Sequence, residues 1–456
     1  MHKFEYENME FSKDGGLDEL IALDRYAIQS FDNYKIGDTL VFTFFNKDKS
    51  IDEKRVGVIQ NIEFVQQGQE EPDDIITVKD RLGELHKIKR EATHKPLELK
   101  PSQLWERWAK GGASVESEEN KQWVENELRW LFDGYRYSLG GRIQLMLGQE
   151  YVKEIGEKAN LTAYNCFVLD VPRKFDTPVD QFLEVLRVAK QQIDIQRRGG
   201  GTGINISEIS TVNGANKSKE FFNIIIPEEH LDYKELKQRI SIGKFDNVLV
   251  NTSKNNRQSV TISIHDSTDG LYEALTEMVY IAYTTNAEQV NLDFSNVRHR
   301  GAIVRGVNGK SSGAVSWAEL FVLVAGLLQQ DKINNVEFAE IYSQVTHLIE
   351  QGGSRRGATM IINDAYNENA AFFIQRKKEA GYLTGANISV GISNSFMDKV
   401  KEQQAKGSSG YELTLWDMII KYAWQSAEPG VVFLERYNKE SNSYYYNPLV
   451  ATNPCG

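Results

Sequence analysis

The feature that most constrains the fold is the alternation, from about residue 160 onward, of helical patterns with short β-type runs. Such alternation is typical of an α/β core in which parallel strands are connected by helices. The clearest helix is predicted over residues 178–196, because Thr177 can cap its start and Pro178 suits its first turn. One face of this helix is apolar and consists of Val179, Phe182, Leu183, Leu186, Ala189 and Ile193. The order of the strands does not follow from the pattern.

The first 160 residues follow different patterns. A helix is predicted over 16–26, and the β-rich runs YKIGDTLVFTFF, RVGVIQNIEFV, DIITVKD and LHKIKRE predict a small barrel-like module over about 33–95. Residues 101–160 return to a helical period, and we interpret their tryptophans as packing residues. The predicted domains are therefore 1–100, 101–160 and 161–456, the last with an insertion at about 208–290 that has its own strands and an amphipathic helix.

Charge and hydropathy exclude several classes of protein. The formal net charge is -11, which argues against nucleic acid as the main partner, because a phosphate backbone selects for basic faces. The sequence contains no apolar run of the roughly 20 residues that a membrane span needs. Its first residues, MHKFEYENMEF, lack the apolar stretch of a signal peptide. We therefore expect a cytoplasmic protein with neither a nucleic-acid nor a membrane partner.

Glycine-rich stretches are candidate phosphate sites, because exposed backbone N–H groups near helix or strand ends suit phosphate oxygens. They lie at 140–141, 199–203, 306–313 and 352–357. None matches the P-loop, and RGGGTG lacks the Rossmann spacing, so a simple P-loop or nicotinamide enzyme is disfavoured. Arg355 and Arg356 can fork onto phosphate, or they can neutralise the carbonyl end of a helix. These two residues alone leave both readings open.

Only two cysteines occur, Cys166 and Cys455, too few for a disulfide framework and without the spacing of a zinc site. An isolated cysteine is by default a small core residue. Cys455, however, lies between Pro454 and Gly456, and such a tight turn suits a thiol that is presented into a cavity. Only the motifs upstream can decide between these readings.

Seven motifs in order resemble the catalytic subunit of ribonucleotide reductase. They are NCFVL (165–169), RRGGGTGINIS (197–207), DFSNVRHRGAIVRGVNGKSSGAVSW (293–317), GGSRRGATM (352–360), GANISVGISNSF (385–396), EPGVVFLERYN (428–438) and TNPCG (452–456). The resemblance covers about 100–456 and leaves out the 33–95 module and much of 208–290. The Asn-Pro-Cys-Gly wording is similar to the adenosylcobalamin-dependent class II, since class I large subunits usually have Leu where Pro454 stands.

The resemblance implies a ten-stranded α/β barrel, incomplete in this chain, with the radical cysteine on a central finger loop. Cys455 then matches the thiyl radical that abstracts the 3'-hydrogen of a ribonucleotide, Cys166 matches one member of the reducing dithiol, and Asn453 matches the asparagine near the 2'-position. The residues implied in substrate binding are Asn165, Gly200 and Gly201. The implied cofactor is adenosylcobalamin, and the implied substrate is a ribonucleoside di- or triphosphate that becomes a 2'-deoxyribonucleotide for DNA synthesis.

The resemblance also implies allosteric control by a dNTP effector. Arg355 and Arg356 match the loop that links the effector to the choice of base, and Ser311, Ser312 and Gly313 match its companion loop. A thioredoxin-like reductant is a further implied partner. The family's catalytic glutamate, its second dithiol cysteine and its C-terminal thiols would follow Gly456, so a C-terminal remainder of the reductase is expected, through a split gene, an intein or a truncated sequence.

Two other readings remain. A class I large subunit would need a separate radical-generating subunit; Tyr444, Tyr445 and Tyr446 do not match its radical tyrosines by position, and we expect them to form a buried aromatic cluster. A non-catalytic nucleotide-binding fragment would keep the effector loops without chemistry. The insertion over 208–290 either replaces a dimer interface or does not, so the pattern leaves monomer and dimer open.

We expect this chain alone to be inactive. A radical cysteine without its acid/base carboxylate, and Cys166 without its disulfide partner, cannot complete a turnover. The check is to incubate the pure chain with ribonucleotides, adenosylcobalamin and a dithiol and to assay for deoxyribonucleotides. Steady formation of dNDP or dNTP would contradict the expectation.

Overall fold

A computed structural model describes residues 3–66, 73–152, 160–252, 258–304, 309–349, 357–379 and 381–455. The chain forms two compact units. The first consists of Met1–Tyr164, Gly301–Ser311 and Gln351–Arg355, and the second of Asn165–Arg300, Ser312–Glu350 and Arg356–Gly456. In the described ranges, no helix combines the length and the apolar character that crossing a bilayer requires.

The elements of the first unit are numbered in chain order. Its helices are α1 (Leu17–Arg25), α2 (Pro101–Ala113), α3 (Glu118–Phe132) and α4 (Gly141–Met146). Its strands are β1 (Gln29–Ser30), β2 (Thr39–Asn46), β3 (Ile51–Glu63), β4 (Ile75–Asp80), β5 (Leu85–Lys89), β6 (Thr93–Pro96), β14 (Ile303–Val304) and β15 (Gly309–Lys310). Single 3-10 turns lie at Arg90–Ala92, Asp133–Tyr135 and Gln149–Tyr151.

Strands β1 to β6 form one antiparallel sheet in the order β1-β6-β2-β3-β4-β5, which we call the β module (residues 29–96). Side chains alternate across the central strand β2. Leu40 and Phe42 enter an apolar cluster with residues of β3, β4 and β5, whereas Val41 packs with Trp105 and Trp108 of α2. The β-rich module and the packing role of these two tryptophans are thus confirmed, while Trp123 is exposed.

A buried arginine joins α2 to the segments around it. Arg107 is 2% exposed, and its Nε donates to the carboxylate of Glu98 at 2.8 Å. Its terminal nitrogens donate to the carbonyls of Tyr26, Gln144 and Leu147. These partners offset the desolvation cost of the buried charge, and they orient the chain that enters and leaves α2.

The second unit contains the remaining elements. Its helices are α5 (Pro178–Gln196), α6 (Tyr233–Ser241), α7 (Thr268–Thr284), α8 (Ala314–Leu328), α9 (Asn335–Leu348), α10 (Ala370–Arg376), α11 (Asn394–Lys406), α12 (Tyr411–Ser426) and α13 (Leu434–Glu440), and a 3-10 turn lies at Lys219–Phe221. Its strands are β7 (Cys166–Val168), β8 (Gly201–Asn205), β9 (Val212–Asn213), β10 (Phe222–Ile225), β11 (Leu249–Val250), β12 (Ser259–Ser263), β13 (Gln289–Asp293), β16 (Lys332–Ile333), β17 (Thr359–Asp364), β18 (Ala386–Gly391) and β19 (Gly430–Val432).

A five-stranded parallel sheet in the order β19-β18-β17-β8-β7 organises this unit. Its strands are connected through helices, so the α/β prediction is confirmed, and five is half the number of strands in the implied barrel. Helix α5 has the predicted bounds, and the Thr177 side chain caps it by accepting from the Asp180 N–H. One face of the sheet packs on α5 and α9 in the main apolar core.

The predicted insertion contains a second parallel sheet, in the order β11-β10-β13-β12. Its strands and α7 share the main core with α8, whose residues Ala314–Leu328 are mostly buried. The predicted strands and amphipathic helix of the insertion are confirmed. The insertion is therefore part of the same folded core as the five-stranded sheet.

A buried polar network fastens α5 to the five-stranded sheet. The side-chain amides of Gln192 and Gln196 donate to the Thr359 hydroxyl on β17 at 2.8 and 2.7 Å. Thr346 on α9 and Thr202 on β8 share the same hydroxyl cluster. Buried amides need hydrogen-bond partners, so this network fixes the position of α5 relative to β8 and β17.

We expect Thr359→Val to destabilise the protein although it conserves the shape of the side chain. It removes one hydrogen bond from each of two buried amides, at a net cost of about 0.5–1.5 kcal/mol each, while other acceptors such as the Tyr342 and Ala358 carbonyls remain. The measurement is the free energy of unfolding in urea. The matched control is Thr261→Val on the exposed side of β12, which we expect to change stability by less than about 0.5 kcal/mol. Equal effects of the two variants would contradict the role of the network.

Candidate active site

The two cysteines lie side by side near the amino ends of the neighbouring strands β7 and β8. Cys166 begins β7 and pairs with Gly201, which begins β8, while the Gly201 N–H donates to the Asn165 carbonyl at 2.8 Å. Parallel pairing therefore places Cys166 beside the glycine-rich turn that ends α5. Cys455 comes from the other end of the chain and is exposed.

Residues 449–455, which we call the finger loop, lie against the face of the sheet opposite α5 and α9. Asn205 on β8 donates to the Val450 carbonyl at 2.8 Å. Ala451 is 1% exposed and packs with Met360, Ile362 and Val432 of β17 and β19. The loop that carries Cys455 is thus held by a hydrogen bond and by apolar packing.

Glycines in β8 allow the finger loop to come this close. A Cβ atom at Gly203 would lie 1.9 Å from the Thr452 carbonyl oxygen, a distance that no structure tolerates. At Gly201 a Cβ would lie 3.1 Å from Cys166 Sγ and 3.2 Å from Pro454 Cγ. Gly201 and Gly203 of the run RGGGTG therefore leave the space that the finger loop occupies.

Burial raises the pKa of the Cys166 thiol, and the neighbouring Cys455 raises it further. The Gly201 N–H and the Asn453 side chain act in the opposite direction by hydrogen bonding to the sulfur. Because Cys166 interacts with both Cys455 and Asn453, the three predicted catalytic side chains are adjacent. Cys166 and Asn453 are both half-buried. With its pKa raised, Cys166 is a protonated thiol at neutral pH and can give a hydrogen to a substrate.

The residues implied in substrate binding occupy different environments. Asn165 is exposed beside Cys166, and Gly201 lies between Cys166 and Pro454. A Cβ at Gly200, by contrast, would collide with Ile195 and Phe167, so this glycine is needed for packing between α5 and β7. Their contact with substrate stays a prediction.

The predicted effector-loop residues are placed only in part. Ser311 and Ser312 are 8% and 7% exposed, and Gly313 has a φ of +89° just before α8. Arg355 and Arg356 lie outside the described residues.

Asp232, from the predicted insertion, hydrogen-bonds the backbone on both sides of the loop that contains Ser311 and Ser312. The Asp232 carboxylate accepts from the Arg300 N–H at 2.9 Å and from the Ala314 N–H at 2.7 Å. Asp232 is 6% exposed and takes the space that a side chain at Gly313 would need. The sequence pattern offered no signal for this role, because Asp232 is far from the loop along the chain.

A cavity of about 620 Å³ opens at the amino ends of β17, β18 and β19. Its lining includes Met360, Asn387, Ser389, Gly430 and the ion pair of Lys377 with Glu428, whose charged atoms are 3.0 Å apart. Met360 also packs with Ala451 of the finger loop. Its volume suits a nucleotide-sized ligand. The motifs GANISVGISNSF and EPGVVFLERYN, quoted for the resemblance, contain several lining residues that the site prediction omitted.

The prediction that the three consecutive tyrosines form a buried aromatic cluster is wrong. Tyr444, Tyr445 and Tyr446 are 59%, 74% and 69% exposed and contact one another edge to face. They follow α13 in a turn segment, where the chain returns toward the finger loop without entering the core. Three consecutive aromatic residues therefore do not indicate a buried segment in this case.

Comparisons with known proteins relate this parallel sheet to the barrel domain of ribonucleotide reductases. Residues 324–409 match the family model described as ribonucleotide reductase, barrel domain. The crystal structure of a B12-dependent (class II) ribonucleotide reductase shares the fold, with a TM-score of 0.50 and 16% identity over 78% of this chain and 50% of that one.

Two curated relatives carry the comparison further. The vitamin B12-dependent ribonucleoside-diphosphate reductase of Thermoplasma acidophilum is 28% identical over 43% of this chain and 24% of its own length. The adenosylcobalamin-dependent ribonucleoside-triphosphate reductase of Lactobacillus gasseri is 23% identical over 69% of this chain and 42% of its own. The chain thus spans less than half the length of these relatives. The chain is thus similar to ribonucleotide reductases, and its resemblance to the class II members is confirmed.

We expect Gly203→Ala to displace the finger loop from β8. Overpacking of this kind costs about 1–3 kcal/mol, enough to raise the population of a displaced loop about tenfold. Cys166 would then be alkylated by iodoacetamide about tenfold faster at fixed pH, because the loop no longer shields it. The rate is measured by mass spectrometry of the peptide that contains Cys166.

The control for this variant is Gly391→Ala on β18. A Cβ there meets its nearest neighbours at 3.7 Å, an ordinary contact, so the reactivity of Cys166 should not change. An unchanged rate in Gly203→Ala, with the fold intact by circular dichroism, would mean that the loop does not depend on this close approach.

Proposed function

We propose that this chain supplies the radical thiol and one reducing thiol of a ribonucleotide reductase, an oxidoreductase that converts ribonucleotides to 2'-deoxyribonucleotides. The observation that carries the proposal is the convergence of Cys166, Asn453 and Cys455 on glycine-bearing β8. These residues are far apart along the chain, and chance packing does not bring the only two cysteines together beside an amide.

Each side chain then has a chemical role. Cys455, as a thiyl radical, takes the 3'-hydrogen of the ribose and so activates the loss of the 2'-hydroxyl. Cys166 is held in the protonated form, and it gives a hydrogen to the substrate radical. The Asn453 amide hydrogen-bonds near the 2'-position and keeps the sugar oriented between the two thiols.

The cofactor we propose is adenosylcobalamin. The chain fits it in one respect that the structure shows: the Cys455 thiol is exposed on the finger loop, where a radical source outside the sheet can reach it. When bound, the cofactor would supply the radical that removes the hydrogen atom from this thiol. The names of the B12-dependent relatives support the same assignment.

The substrate is a ribonucleoside di- or triphosphate, and both kinds occur in the names of the relatives. The cavity at the amino ends of β17, β18 and β19 has the size for a nucleotide. A dNTP effector would bind at the loop of Ser311, Ser312 and Gly313. The loop of Arg355 and Arg356 would then link the bound effector to the choice of substrate base.

Further partners complete the reaction. A C-terminal remainder of the reductase supplies the catalytic glutamate and the second dithiol cysteine, and a thioredoxin-like protein restores the thiols after each turnover. A reducing cytoplasm is the compartment in which two free cysteines remain available for this chemistry. The remainder can be sought in the source lysate as a peptide that runs through Asn453 and Cys455 into new sequence.

The test uses the chain assembled with that remainder. We expect deoxyribonucleotide formation that requires adenosylcobalamin and a dithiol, and Cys455→Ser should lower the rate by at least about 10³-fold, because a serine hydroxyl does not form the radical under these conditions. Cys166→Ser should also stop multiple turnovers, whereas Ser409→Ala, at an exposed position after α11, serves as control and should retain the rate. Activity without cobalamin but with a radical-generating subunit would instead identify a class I enzyme. Nucleotide binding without product would identify a non-catalytic fragment.

A further inference from the structure

The active site holds the two cysteines of this chain in contact with each other. A hydrogen bond links the side chains of Cys166 and Cys455. Cys166 is half-buried, whereas Cys455 is exposed. A small solute can therefore reach the sulfur of Cys455, and the sulfur of Cys166 lies next to it.

The Cys166 side of this contact belongs to the five-stranded sheet. Cys166 pairs with Gly201, and the next residue, Phe167, pairs with Thr202, so β7 is held along the edge of the sheet. Thr202 also belongs to the buried network below α5, because its hydroxyl accepts from the Gln196 amide at 3.0 Å. The backbone of Cys166 is therefore fixed, and any closer approach of the two sulfurs depends on the finger loop.

The finger loop is anchored at its beginning, ahead of its tip. The Asn438 side chain donates to the Leu449 carbonyl at 2.8 Å and accepts from the Leu449 N–H at 2.6 Å. Ala451 is buried against β17 and β19. Cys455 follows these anchors on an exposed turn. The tip can thus make the movement of about 1–2 Å that leads from a thiol–thiol hydrogen bond to an S–S bond of about 2.05 Å.

Gly201 leaves room for this movement. A Cβ there would lie 3.1 Å from Cys166 Sγ and 3.2 Å from Cγ of Pro454, which directly precedes Cys455. A side chain at this position would press on both segments that carry a cysteine. The glycine therefore keeps the space between the two thiols open.

We propose that Cys166 and Cys455 are a reversible oxidation site, at which a hydroperoxide converts the two thiols to a disulfide. The family resemblance places the disulfide of turnover between Cys166 and a cysteine after Gly456, whereas this disulfide takes up the candidate radical thiol itself. Its formation does not depend on the proposed function. Only its effect on turnover rests on that function.

The oxidation takes place in two steps. Burial and the neighbouring Cys455 raise the pKa of the Cys166 thiol, so the exposed Cys455 reacts first. Its thiolate attacks one oxygen of hydrogen peroxide, the O–O bond breaks, and the other oxygen leaves as water, which gives a sulfenic acid. The Cys166 sulfur then attacks the Cys455 sulfur, the S–O bond breaks, and the hydroxyl group leaves as water with the Cys166 proton. Together the two thiols lose two electrons and two protons, and one peroxide becomes two waters.

The disulfide would have two consequences for the site. No thiol hydrogen remains on Cys455 for radical formation or on Cys166 for donation, so turnover stops. The same bond prevents the further oxidation of Cys455 to a sulfinic acid, which thiols do not reverse. A dithiol restores both thiols by exchange. Peroxide would therefore switch the site off without destroying it.

The first test treats the chain with hydrogen peroxide and analyses its peptides by mass spectrometry without reduction. Because the chain has only two cysteines, an intrachain disulfide joins this pair and no other. We expect the linked peptides of Cys166 and Cys455 as the main product, and dithiothreitol should release them. A sulfinic acid at Cys455 beside a free Cys166 thiol, or dimers linked through Cys455, as the main product would overturn the proposal.

Gly203→Ala distinguishes the contact of the sulfurs from their mere accessibility. Its displaced finger loop should expose Cys166 to iodoacetamide and yet slow disulfide formation about tenfold, because the two sulfurs no longer meet. Gly391→Ala is the matched control and should form the disulfide at the wild-type rate. Gly201→Ala presses on the same two segments, so it replaces Gly203→Ala if that variant does not fold. A wild-type rate in the folded Gly203 or Gly201 variant would overturn the proposal.

The chain assembled with its C-terminal remainder separates this proposal from the proposed function. Peroxide should stop deoxyribonucleotide formation, a dithiol should restore it, and the stopped enzyme should contain the linked Cys166 and Cys455 peptides. If the enzyme is active and peroxide stops it without linking these two cysteines, the oxidation site is overturned and the proposed function stands. If the disulfide forms but the assembled protein makes no deoxyribonucleotide under reducing conditions, the proposed function fails and the oxidation site stands.

Discussion

The close approach of the finger loop to β8 is the constraint on which the active site depends. A Cβ at Gly203 would overlap the Thr452 carbonyl, and a Cβ at Gly201 would make tight contacts with Cys166 and Pro454, at 3.1 and 3.2 Å. Without these glycines, the loop would move off the sheet by about the thickness of a methyl group. The Cys166 and Cys455 thiols would then no longer be adjacent. Two glycines on one face of β8 thus allow the close approach of the two candidate thiols.

That strand needs support of its own, because glycines contribute no packing. The support comes from its opposite face, where Thr202 joins Gln196 and Thr359 in the buried network below α5. Ile204, on the same face, is fully buried in the main core. One face of β8 therefore carries the stability and the other carries the site, which is the alternation that a strand permits.

Much of the architecture followed from local patterns. The α5 helix was predicted to its end residues, since a cap, a proline and an apolar period all act within a few residues of one another. The β module and the strands of the insertion were predicted for the same reason. The exposed tyrosines at 444–446 show the limit: hydrophobic character indicates burial only where a neighbouring surface exists to cover it.

The sequence by itself determined the class of fold, the family resemblance and the candidate reactive side chains, because these depend on residue type, order and short-range period. Only the tertiary structure decided that β8 lies between β7 and β17, that Asp232 accepts hydrogen bonds from both the Arg300 and the Ala314 N–H, and that a nucleotide-sized cavity opens at the amino ends of β17, β18 and β19. These are contacts between segments distant along the chain. Strand order, backbone acceptors and cavity shape arise from how whole elements pack, and no local pattern encodes them.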